Sequence, residues 1–369
     1  MLLTRLLGAD RALRGLRGAQ PAARLRSAAA AAVEPEQAWL LEELPRAVER
    51  WSPRAQPERG EALLRAAVRL GVRLLTPLDA AWPRRVEDLG EHAPLALWCR
   101  GDLSLLDDRA PTVAIVGARA ASGYGEHLAI ELAAGLAERG VRVVSGGAYG
   151  IDGAAHRSAL ASGGATLAVM AGGPDRLYPR GNLELLHRIV REGLLLSELP
   201  CGQSPTRWRF LQRNRIIAAL ASATVVVEAG ERSGALNTAA HAAGIARPLG
   251  AVPGPVTSPG SAGCHRLLRD FDAVCVRDAE DALELAGGLT VPVGGEAEEE
   301  RGRQEPAPGP DGVGTRVWNA LGSRTERSPE QLALAAGVSC ADARGALAAL
   351  ELEGFARRGP AGWRRSRPA

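Results

Sequence analysis

The chain has 369 residues, 46% of them hydrophobic and 24% charged, with a formal net charge of +3. That length accommodates one large core with one or two small satellites, so two or three domains are expected. Charged residues break every apolar stretch short of the roughly 18 that a membrane helix needs, which argues against insertion in a bilayer. The five cysteines are scattered without a CxxC spacing, which disfavours a disulfide framework and a zinc site and suits a reducing cytoplasm.

All 45 basic residues are arginine. Genomic G+C bias is one cause. Guanidinium forks also grip phosphate through two bonds, where an ammonium offers a point charge.

Residues 1–75 read as a small helical domain, with amphipathic helices over Gln37–Trp51 and Arg59–Leu70 and joints at Pro53 and Pro57. The first thirty residues are rich in arginine and alanine, as in a transit peptide, but they lack a continuous apolar region and Asp10 interrupts them. Residues 72–110 form short strands and turns leading into the core, the whole spanning 76–286. From Thr112 to Leu285, apolar runs at 113–116, 141–145, 166–170, 194–196, 224–228, 249–252 and 273–276 alternate with helical patterns. This rhythm predicts an α/β fold with a doubly wound, Rossmann-like and mostly parallel sheet. Residues 287–312 turn to Gly, Pro and Glu and read as a flexible linker. Residues 313–369 read as helix, Gly337 turn, helix, followed by a β-wing, the pattern of a winged helix.

The sheet-edge junctions carry the functional signal. The first, from Val113 through Gly117, Arg119 and Ser122 to Gly123 and Gly125, lacks both the GxGxxG spacing and a P-loop ending. It disfavours ordinary dinucleotide or ATP use, and no cofactor is expected. Arg119, Ser122 and the N–H groups of Gly123 to Gly125 suit a phosphate, and Ser122 also suits an N-cap. A plain tight turn is the alternative.

The second junction holds Gly147, Asp152, His156 and Arg157. Asp152 and His156, four apart, share a helix face. They suit an acid/base pair, half a metal site, or a dipole-favoured acid beside an ordinary core histidine; with no second ligand cluster, no metal is expected. The third junction is Gly172-Gly173.

Between Asp175 and Arg215 arginines outnumber acids, and Asn182, Arg213, Asn214 and Arg215 fall among Tyr178, Trp208 and Phe210. Arginines interleaved with aromatics suit a single nucleic-acid strand, whose phosphates need cations and whose bases need faces. A solvated charged face is the alternative. After the Val-rich run ending at Glu228, Ser233, Gly234 and Thr238 make one more Gly turn opening a helix.

In order, Gly117–Arg119–Ser122–Gly125, Ser145–Gly150–Asp152–His156, Tyr178–Asn182, Ser197–Glu198–Pro200, Phe210–Arg213–Asn214–Arg215 and Glu228 with Ser233–Gly234–Thr238 resemble the DprA/Smf family of DNA-processing proteins. Leu74–Pro77, Trp82-Pro83 and Pro94–Asp102 extend the likeness, which covers residues 72 to 285. The resemblance implies an extended Rossmann core that dimerises, binds single-stranded DNA with little sequence preference and helps load the RecA recombinase during natural transformation. It also implies an N-terminal module resembling a SAM or helix-hairpin-helix domain, a C-terminal winged helix, phosphate contacts from Arg119 and Arg157, and no catalysis. Departures from the family pattern fall at Leu211, Ala240 and His265.

Two rival readings remain. A nucleoside-monophosphate N-glycosidic hydrolase would place Glu228 near a sugar, though its Pro-Gly-Gly pattern is absent. A winged-helix regulator would read duplex DNA through residues 313–369.

Overall fold

The computed structural model describes residues 2–17, 20–287, 313–321, 326–352, 354–360 and 362–366. They fall into two compact units, divided between residues 293 and 294. The linker expected at 287–312 lies outside the described residues apart from Gly287.

The first unit begins with helices α1 (Leu2–Leu7), α2 (Ala9–Arg17), α3 (Pro21–Ala30), α4 (Trp39–Trp51) and α5 (Pro57–Arg69). Leu25, Leu44 and Val48 are buried in their small core. A Cβ at Gly15 would run into the Leu25 side chain, so α2 and α3 pack closely there. Pro57, expected as a joint, is the first residue of α5, where its missing N–H leaves no bond unmade.

Strands β1 (Arg73–Leu75), β2 (Leu97–Gly101), β3 (Thr112–Val116), β4 (Arg142–Ser145), β5 (Thr166–Met170), β6 (Leu194–Ser197), β7 (Ala223–Val226), β8 (Leu249–Ala251) and β9 (Val274–Cys275) make one sheet. Its order is β1-β2-β6-β5-β4-β3-β7-β8-β9. Pairing is parallel from β6 to β9, while β1 and β2 add antiparallel at the β6 edge. The lead-in stretch is therefore part of the sheet. Buried Arg142 secures it, donating hydrogen bonds to the carbonyls of Leu105, Asp107 and Ala110, each 2.5 Å long.

The joining helices are α6 (Gly123–Glu138), α7 (Ile151–Ala161), α8 (Leu183–Glu192), α9 (Arg207–Leu220), α10 (Ala235–Gly244), α11 (Ala262–Asp270) and α12 (Ala279–Leu285). Alternation along β3 shows how both faces are covered. Val113 and Ile115 pack with residues of α6, α7 and α12, and Ala114 and Val116 with residues of α9, α10 and α11. Burial on both sides explains why these strands read as unbroken apolar runs. The chain winds outward from β3 to β6, and α9 then brings it back across the opposite face to β7, beside β3. A crevice opens at that reversal, at the carboxyl ends of β3 and β7.

The second unit holds α13 (Val313–Ala320), α14 (Pro329–Ala336), α15 (Cys340–Leu352) and the hairpin β10 (Ala356–Gly359) and β11 (Gly362–Arg365). Ser328 and Gln331 form a capping box on α14, and Gly337 ends that helix with φ 62°. The chain bends by 104° between α14 and α15, within the helix-turn-helix range. Val317, Trp318, Leu332 and Leu347 fill the core, and the hairpin supplies the wing. No single helix among the described residues is long and apolar enough to cross a membrane.

Candidate functional site

The crevice at the ends of β3 and β7 is a cleft of about 910 Å³. Its walls are the loop after β3 from Gly117 to Ala120, the first turns of α9, and the β7–α10 turn at Ser233 and Gly234 with Thr238 of α10, with Tyr178 at the rim. Four arginines, Arg119, Arg207, Arg213 and Arg232, face it against a single carboxyl, Asp152. Such a balance attracts anions.

Exposed Arg119 lies with its guanidinium carbon 4.6 Å from the centre of the Phe210 ring. Tyr178, itself exposed, is tilted at 56° with its ring centre 6.0 Å from that of Phe210. The cleft therefore offers cations and aromatic faces side by side.

Arg213 is buried in the floor, where its Nη1 donates to the carbonyls of Gly146, at 2.8 Å, and Val169, tying together the ends of β4 and β5. Burial pulls its pKa down to about 10, with Asp152 opposing the shift. Asp152 accepts the Gly146 and Ala148 N–H groups at 3.1 and 3.4 Å, and burial pushes its carboxyl upward. His156 Nδ1 is 2.7 Å from Thr166 Oγ1, whose own proton goes to the Val143 carbonyl. The network makes Nδ1 the protonated nitrogen. His156 Nε2 is buried without a partner, and burial, with Arg213 and Arg157 nearby, lowers the imidazole pKa to about 3. Asp152 and His156 thus serve different neighbours. Among the described residues no cluster of three or more metal-ligating side chains occurs.

At the first junction the α6 N-terminus has partners inside the chain. Ser122 caps α6 by accepting the Gly125 N–H at 3.1 Å, and buried Glu228 accepts the Ser122 N–H at 2.9 Å and lies 3.2 Å from its hydroxyl oxygen. A Cβ at Gly125 would strike the Glu228 carboxylate. Ser122, Gly123 and Gly125 are not among the residues lining the cleft, nor is Glu228. The loop itself is held by Gly150, whose φ of 69° and contact with the Ala118 carbonyl leave no room for a side chain.

The other residues singled out in the sequence divide in the same way. Asn214 lines the cleft while its amide donates to Gly234 O and Asn237 Oδ1. Arg215, two positions after Arg213, points elsewhere, its Nη2 donating to both carboxylate oxygens of Glu198 at 2.7 and 2.9 Å. Asn182 donates to the Gly147 and Ala148 carbonyls, and Gly172 and Gly173 pack against residues 200–205. Arg157 is exposed on α7, in a hollow shared with α8. Leu211 lines the cleft, Ala240 does not, and His265 Nε2 lies 2.9 Å from the Gly254 carbonyl oxygen. Arg207 and Arg232 were not singled out. Each stands at the opening of a helix facing the cleft, a position that could have marked them.

Residues 73–287 match the family model for DNA recombination-mediator protein A, and residues 301–362 that for the DprA winged helix domain. A putative DNA processing protein DprA of Mycobacterium tuberculosis is 47% identical over 328 residues, covering 84% of this chain and 81% of that protein. The X-ray structure of DNA processing protein A from Streptococcus pneumoniae superposes with a TM-score of 0.55 at 38% identity, over 57% of this chain and 73% of that one. A Helicobacter pylori DNA processing protein A, whose structure describes a single-stranded DNA binding mode, gives a TM-score of 0.53 at 30% identity, over 58% of this chain and 94% of that one.

Proposed function

The chain belongs to the DNA recombination-mediator protein A family, and from that premise we propose that it binds single-stranded DNA in the switch-point cleft, with little sequence preference. One observation carries the reading: Arg119, Arg207, Arg213 and Arg232 line one cleft at the carboxyl edge of the sheet together with the Phe210 and Tyr178 rings, and Arg119 lies over Phe210. Cations meet phosphates and rings meet bases, and neither interaction reads sequence. The Helicobacter pylori relative, with its single-stranded DNA binding mode, supports the same assignment.

The proposal extends to function in the cell. A cytoplasmic homodimer formed through the Rossmann-like core holds the strand and presents it to the RecA recombinase during DNA uptake, without catalysing a step itself. Commitment of the Glu228 carboxylate to Ser122 supports a non-enzymatic role, because a glycosidic hydrolase would need that acid beside its substrate.

Fluorescent oligo-dT and a duplex of equal length, titrated at two salt concentrations, test the reading. Tight, salt-sensitive preference for the single strand is expected, followed by faster RecA filament formation on strands carrying the protein. Equal binding of the two forms would transfer the activity to the winged helix.

A further inference from the structure

The basic surface continues beyond the cleft. A second hollow of about 420 Å³ shares Tyr178 and Pro205 with it and is lined by Arg100, Arg176 and Arg180. A third, of about 630 Å³, shares His187 with the second and is lined by Arg157, Arg188 and Arg191. Along α8, residues 184, 187, 188 and 191 recur at helical spacing, so one face about 10 Å long borders this route.

The carboxylates near the route are few and mostly committed. Asp175 accepts the Gly202 N–H at 2.8 Å and sits 3.6 Å from Arg176. Glu192 pairs with Arg188 at 2.8 Å, which leaves Glu184 as the one acid lining the third hollow. Arg100, Arg157, Arg180 and Arg191 have no carboxylate partner among the described residues. Guanidinium groups left unpaired along adjoining hollows, with an aromatic ring where the first two meet, are the arrangement a polyanionic strand requires.

We propose that a single strand seated in the switch-point cleft leaves it past Tyr178 and continues across α8, where Arg180 and Arg191 contact phosphates that the cleft does not reach. The inference rests on the single-strand reading above and lengthens its footprint. It also gives Arg157, which lines the third hollow and not the cleft, a place on the same strand.

The test compares the full-length protein with its Arg180→Ala/Arg191→Ala variant on fluorescent oligo-dT of about 6 and about 20 nucleotides, lengths that bracket common single-strand site sizes. The variant should bind the short oligonucleotide as the wild type does. It should bind the long one about tenfold more weakly, with a log–log salt slope smaller by about 1.4, the equivalent of two phosphate contacts. A long-oligonucleotide affinity and slope equal to wild type would overturn the path, because any gain with length would then come from a second protomer. Equal losses on both lengths would also overturn it, since the arginines would be acting through the cleft. Wild-type protein that binds neither length would bring down the single-strand reading together with the path.

Discussion

The Arg119 guanidinium rests 4.6 Å from the centre of the Phe210 ring, so a cation and an aromatic face form one assembled pair. Held over the ring face, the arginine gives up less side-chain freedom when it meets an anion.

Arg119→Ala should weaken single-strand binding by about 10- to 100-fold, the equivalent of about 1.5–3 kcal/mol for a charge-assisted contact. The loss should be the same for every sequence, with a salt slope smaller by about 0.7. Anisotropy titrations with mixed and homopolymeric strands measure both. Unchanged affinity would remove Arg119 from the site.

Phe210→Leu keeps apolar bulk and removes the stacking face. Affinity should fall by about 1–3 kcal/mol. The salt slope should stay at the wild-type value, because no phosphate contact is lost.

Arg215→Ala should behave in the opposite way to Arg119→Ala. Its guanidinium is bound to Glu198 and the His92 carbonyl, with side-chain exposures of 11% and 29% for the ion pair. Removing it should cost about 2 kcal/mol of stability, allowing for partial solvent screening. Denaturant melts would record that loss, while the salt slope of DNA binding stays unchanged.

Glu228→Ala should loosen the turn into α6 by stranding the Ser122 N–H, at a cost of about 1–3 kcal/mol. Thermal unfolding reads the cost. DNA affinity per folded molecule should change little, whereas a large loss of affinity with intact stability would place the carboxylate at the ligand.

His156 gives the protein an acid-sensitive window. Its folded pKa is about 3 against an ordinary 6.5, because burial excludes the charged form. As pH falls below 6.5 the unfolded chain takes up a proton that the native imidazole does not. Stability therefore drops toward pH 3, by up to about 1.4 kcal/mol per pH unit from this group. His156→Gln should flatten that slope in denaturant melts recorded across the range.

The core strands were legible because burial on both faces demands continuous apolar runs, as at Val113–Val116 and Ala223–Val226. The antiparallel pairing of β2 with β6 was not, because nothing in Leu97–Gly101 specifies a partner across nearly a hundred residues. That Arg119 would stand at the sheet's carboxyl edge was legible from its place after a strand end. Arg213, Asn214 and Arg215 were grouped by proximity in sequence, although neighbours two apart on a helix point to different sides. Ser122 was recognised as a possible cap. Glu228 as its second partner was invisible, since the contact spans 106 positions and two separate loops.

That contact has a consequence for competition. In nucleotide-binding sheets of this architecture the helix after the central strand receives a pyrophosphate at its N-terminus. Here a tethered carboxylate already occupies the position, at an effective concentration set by the chain and on the order of millimolar or above. A free nucleotide must displace that internal rival, while a strand seated in the neighbouring cleft, as proposed, would not have to. On the proposed single-strand reading, the monomer is thus handicapped against its own polymer.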